Sequence, residues 1–149
     1  MNGLADLERR GLIARISYNR RRVRDLMRIA ARDIEVARSL AEESTDWSYS
    51  IAYNSMLQSA RALMFSRGYR PTGQAPHLTV VSFLRSSFDK ELGQLITELD
   101  RMRKKRHVSV YDTAGAISQS EMRHALKVAD EFHEKIISLL QPGASHSRP

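Results

Sequence analysis

Val23, Met27, Ala30, Ile34, Ala37 and Ala41 follow one another at steps of three or four residues. That spacing lines one side of an α-helix, whereas a half-buried β-strand needs apolar residues at every second position. The same rhythm recurs down most of the chain, so the sequence predicts packed helices. The first stripe predicts a helix over about Asn19 to Glu43. Ser44, Thr45 and Asp46 offer side-chain acceptors for the start of the next helix. This one carries Tyr49, Ala52, Tyr53, Met56, Ala60, Leu63 and Met64 and stops before Gly68, a residue suited to a helix C-terminal cap. Trp47, Ile51 and Leu57 widen its apolar surface and mark it as the central helix of a bundle.

The remaining segments fit the same plan. Leu4, Leu7, Leu12 and Ile16 predict a short leading helix. Tyr69 to Pro76 reads as a loop by its proline and glycine content. Leu78, Val81, Leu84 and Phe88 predict one helix, and Leu92, Leu95, Ile96, Leu99 and Met102 another. Thr113 to Ile117 is a connection. Ser118 and Glu121 then have capping-box spacing ahead of a last stripe of Met122, Leu126, Ala129, Phe132, Ile136 and Leu139. No segment shows sustained period-two alternation with hairpin turns. The expected fold is all-α: an up-and-down bundle of five or six helices over residues 20–140. A basic arm or short helix at 1–19 precedes it, and a disordered tail at 141–149 follows.

A chain of 149 residues can bury its own core as one domain. It has no cysteine, which excludes disulfides, thiolate zinc sites and a cysteine nucleophile and agrees with a reducing cytoplasm. No apolar run approaches the roughly 20 residues of a membrane span, and the first ten residues are not followed by the apolar stretch of a secretory signal. A cytoplasmic protein without membrane contact is expected. There is no glycine-rich phosphate loop and no His-Glu-x-x-His pair. His124 and His133 would fall about 180° apart around one helix. Neither a metal nor a cofactor is expected.

The formal charge of +7 points to a polyanionic partner. Nine arginines stand against three acidic residues in positions 1–32, centred on Arg20, Arg21 and Arg22. A second cluster holds five cations and a histidine within seven positions: Arg101, Arg103, Lys104, Lys105, Arg106 and His107. Tyr111 and Asp112 follow. Guanidinium groups present a planar fork of donors that suits phosphate oxygens, and imidazole exchanges protons near neutral pH. This segment is the candidate site for holding a phosphodiester and for cutting it. Arg103, Lys104, Lys105 and Arg106 are the expected nucleic-acid contacts. Trp47, Tyr49, Tyr53 and Phe65 lie on a helix with a wide stripe, so they read as core or interface rather than as a base-stacking platform.

Several local signatures, in this order, resemble the HEPN domain family over about residues 22–140. The run from Ile29 to Ala41 is similar to the opening helix, with an acidic residue among small and apolar ones. Ser50 to Met64 resembles its second helix. Gly68-Tyr69-Arg70-Pro71 followed by His77 resembles the loop and the start of the helix after it, and Arg103-x-x-Arg106 ahead of Tyr111 resembles the late basic segment. The resemblance implies a helical bundle, usually a homodimer, with the late arginine near a cleft between subunits. Active members are metal-independent ribonucleases that use an arginine, four to six intervening residues and a histidine. Many serve as toxins or in phage defence, often beside a nucleotidyltransferase partner, and others do not cleave.

Two registers of that motif are open in this chain. With Arg106 as the motif arginine, His107 replaces the usual polar residue and Tyr111 takes the histidine slot. With His107 as the histidine, Arg101 is its arginine, with five residues between them. In that case the two would sit roughly 120° apart on a continuous helix and converge only through a break or across a dimer. The residues expected to carry catalysis are therefore Arg101, Arg106, His107 and Tyr111. The partners expected are RNA or a nucleotide, a second copy of the chain, and a nucleotidyltransferase.

Overall fold

Asn19 starts the first long helix: its side chain accepts a hydrogen bond from the Arg22 amide at 3.0 Å. In the same way Ser44 caps the next helix through the Trp47 amide. Ser118 and Glu121 close the capping box that their spacing predicts, with both bonds at 3.0 Å. The computed structural model of the chain describes residues 3–107 and 115–141. Along it run α1 (Gly3–Arg9), β1 (Ile13–Arg15), α2 (Arg20–Leu40), α3 (Thr45–Ser66), β2 (Tyr69–Pro71), α4 (Pro76–His107) and α5 (Gln119–Leu140). Helix accounts for 79% of the described residues, so the fold is the all-α bundle that the stripes predict.

α3 is the centre. Tyr49, Ala52, Tyr53, Met56, Leu57, Ala60, Leu63, Met64 and Phe65 are all buried, and α2, α4 and α5 each pack against it. Trp47, in its first turn, is 59% exposed. α2 buries Val23, Leu26, Ala30, Ile34 and Ala37, with Leu26 more deeply placed than Met27 or Ala41. Small residues let α2 and α3 approach closely. Ser48 Oγ donates to the Ala37 carbonyl and Ser55 Oγ to the Ala30 carbonyl, each at 2.7 Å. Both pairs advance by seven residues in opposite senses, so the two helices run antiparallel along a seam of serine against alanine.

Two expectations need correction. The leading helix does not extend to Ile16: it stops at Arg9, and Gly11 turns the chain with φ +73. Ile13–Arg15 instead pairs antiparallel with Tyr69–Pro71, in the segment expected to be a loop. The clip is extended by Ile16 N–H to the Gly68 carbonyl at 2.8 Å and Thr72 N–H to the Leu12 carbonyl at 2.7 Å. The cause is long-range, since a three-residue strand takes its stability from its partner and not from local pattern. Leu7 is buried and α1 packs on α4, so the basic arm is part of the folded body.

α4 carries the two stripes expected of separate helices, and a bend divides them. Phe88 (φ −134, ψ 22) and Gly93 (φ +27, ψ −102) depart from helical geometry. A straight helix of this length would hold its ends about 48 Å apart, yet residues from both ends line one cleft. The halves therefore fold back on each other. Arg85 braces the bend, donating to Thr97 Oγ1 at 2.9 Å and pairing with Asp89 at 3.3 Å. Among the described residues no helix is long and apolar enough to cross a membrane.

Candidate functional site

The fold-back of α4 sets its first turn opposite its last. Ala75, Pro76, His77 and Leu78 from the start of the helix and Arg103, Lys104, Arg106 and His107 from its end enclose an open cleft of about 570 Å³. Three cations and two imidazoles therefore share one concavity.

Asp100 organises two of the cations. It accepts from Arg103 at 2.9 Å and pairs with Lys104 at 3.4 Å. Burial pushes the Asp100 carboxyl up, but the hydrogen bond and charge of Arg103, with Lys104 beside it, hold it below the usual carboxylate range. Arg106 is placed differently: no acid pairs with it among the described salt bridges. Its Nε donates to Ser50 Oγ at 3.2 Å, and its guanidinium lies 5.5 Å from the centre of the Tyr53 ring. It also borders a second cleft, of about 360 Å³, lined by Arg32, Asp33, Val36, Ser50, Ile51 and Asn54. There the buried Asp33 carboxylate is held by Arg32 at 2.9 Å and by Asn54 Nδ2 at 2.7 Å. The Arg106 guanidinium stands at the border of the two clefts.

His77 was not among the expected site residues. Its Nδ1 lies 3.1 Å from the buried Tyr53 hydroxyl, with the rings tilted at 48°. Burial, and then the positive fields of Arg106, Arg103 and Arg61, lower its pKa below the ordinary imidazole value. The signal that could have found it was indirect. Gly93 lies between two apolar stripes, which implies a return of the chain that brings position 77 toward the basic end.

Two expected site residues lie elsewhere. Arg101 Nη1 bonds Glu98 at 3.0 Å, and Glu98 also meets His124 Nε2 at 3.3 Å on the side facing α5. α4 runs without a break from Gly93 to His107, so one chain does not bring Arg101 and His107 together. Lys105 pairs with Glu121 at 3.2 Å and ties the end of α4 to the start of α5, outside the cleft. Tyr111, and the break considered at Val108 to Val110, lie outside the described residues. So do residues 142–149 of the expected tail. Among the described residues no group of three histidine or acidic side chains is placed to hold a metal ion.

The sequence pattern of the HEPN domain matches residues 23–139, from α2 to the last turn of α5. The chain belongs to the HEPN family. No curated protein matches it at a significant level. In this HEPN domain the late basic segment is the end of α4, and the residues at the start of α4 provide the opposite wall of the cleft.

Proposed function

We propose that this HEPN protein binds single-stranded RNA through the α4 cleft and acts on it as a metal-independent endoribonuclease. The observation that supports this reading is the convergence of Arg103, Lys104, Arg106, His77 and His107 on one open cleft. The guanidinium and ammonium groups hold phosphates, and stabilise the charge that builds on phosphorus in the transition state. His107 exchanges protons with the ribose 2′-hydroxyl or the leaving oxygen. The product is a 2′,3′-cyclic phosphate, formed when the neighbouring 2′-oxygen displaces the 5′-oxygen. Service in a toxin–antitoxin or defence system, in the cytoplasm, completes the reading by analogy with the family.

Binding has a clear test. Replacing Arg103, Lys104 and Arg106 together by glutamine should weaken binding of a single-stranded RNA and flatten its salt dependence, because fewer counterions are released. Lys105→Gln, outside the cleft, should do much less. For cleavage, His107→Ala should abolish the cyclic-phosphate product while sparing most of the affinity. Wild-type protein that binds RNA but leaves a varied pool intact, both in EDTA and in magnesium, would end the nuclease reading. Tyr111→Phe separates the registers: a large loss of activity favours Arg106 with Tyr111, a small one Arg101 with His107.

One observation favours a second reading. Arg101 is engaged by Glu98 and kept from His107 within the chain. A non-cleaving module that uses the same cleft to engage a nucleotide or a nucleotidyltransferase partner accounts for that arrangement.

A further inference from the structure

Tyr53 contacts two cleft residues at once. It is 1% exposed, Arg106 lies over its ring, and its hydroxyl meets His77 Nδ1 at 3.1 Å. A buried hydroxyl that fails to donate its proton pays a desolvation penalty. Among the described hydrogen bonds, His77 Nδ1 is the acceptor within reach of this one. The tautomer that satisfies this buried hydroxyl makes Tyr53 the donor and Nδ1 the acceptor. A neutral imidazole carries one proton, which must then sit on Nε2, at the opposite edge of the ring.

We propose that Tyr53 fixes His77 as the Nε2–H tautomer, making it a neutral donor to a non-bridging phosphate oxygen of RNA while Arg106 binds the same phosphate as a cation. The inference rests on the reading of the cleft as a phosphodiester site. It gives His77 a role distinct from that of a proton-transfer group, because an imidazole already protonated on Nε2 cannot act there as a base. The lowered pKa of His77 agrees with this role, since the ring stays neutral beside three arginines. Burial likewise pushes the Tyr53 phenol up to about 12, so it remains a donor at any physiological pH. Tyr53 is a positioning residue here. It orients one group by a hydrogen bond and the other by its ring face.

The test uses the full chain with ¹⁵N-labelled histidine and a 2′-O-methyl oligouridylate, which can bind but lacks the attacking hydroxyl. In the free protein, long-range ¹H–¹⁵N correlation should show His77 protonated on Nε2 and bare on Nδ1. Tyr53→Phe, which keeps the ring, should give a mixture of tautomers. Saturating oligonucleotide should shift the Nε2–H signal. His77→Leu should lose about five- to tenfold in affinity, whereas His77→Gln, which restores a donor, should stay within about threefold of wild type. Protonation on Nδ1 in the free protein would overturn the inference. So would an unmoved His77 signal when Arg103→Gln and Arg106→Gln show the oligonucleotide to be bound in the cleft; in that case the RNA-binding reading survives. If the wild-type protein binds no oligonucleotide, both are overturned.

Discussion

At the scale of single residues, two histidines make stability depend on pH. Burial lowers the pKa of His77, with the nearby arginines adding to the effect. Burial also lowers that of His133, against the opposing pull of Glu134 and Asp130. Unfolded, both would titrate near the ordinary value of about 6.5. Between the folded and unfolded values the unfolded chain holds more protons, so stability rises with pH across that window and is lost as pH falls through it. The melting temperature should therefore drop from about pH 7.5 to about pH 5.5, and His77→Gln should make the decline shallower. A flat profile for the wild type would contradict the assignment. Legibility at this scale followed sequence distance. Arg103, Lys104, Arg106 and His107 were readable because they cluster at one helix end. His77 was missed because a long stretch of helix and a bend separate it from them. Arg101 was overweighted because spacing alone does not reveal that Glu98 engages it.

At the scale of elements, the bend in α4 and the seam between α2 and α3 set the geometry. Gly93 holds a positive φ, and a Cβ added there would meet nothing within 4 Å, so the strain in a substitution would come from backbone conformation and not from a clash. Gly93→Ala should cost about 1 to 2 kcal/mol, read by urea unfolding. Ala30 lies fully buried on the seam, under Ser55. Ala30→Leu should destabilise by about 1 to 3 kcal/mol through overpacking, while Arg28→Ala, at an exposed position of the same helix, should be nearly neutral. The helices and their caps were legible in the sequence because both depend on residues within a turn of one another. The β1–β2 pair was not, because neither strand has a pattern of its own apart from the other.

At the scale of the whole molecule, we propose a homodimer. Trp47 and Val36 are exposed, with Ile51 half-buried beside the second cleft, and twofold self-association is the commonest way to cover such a surface. Light scattering at micromolar concentration should give twice the chain mass; a monomer would refute the proposal. Trp47 is the chain's one tryptophan, so its quenching by acrylamide should fall on assembly if it lies in the contact. The clip between Ile13–Arg15 and Tyr69–Pro71 has a different consequence. It joins residues more than fifty positions apart and encloses the whole α2–α3 hairpin within a loop. Closing a long loop is an entropic cost met before its contacts form, whereas the hairpin inside needs only short-range ones. The hairpin should thus be the early unit of folding and the clip the late one. In native-state hydrogen exchange, the amides of Ile16 and Thr72 should open at lower free energy than those in the middle of α3, so that the chain unlatches at its clip before its centre gives way.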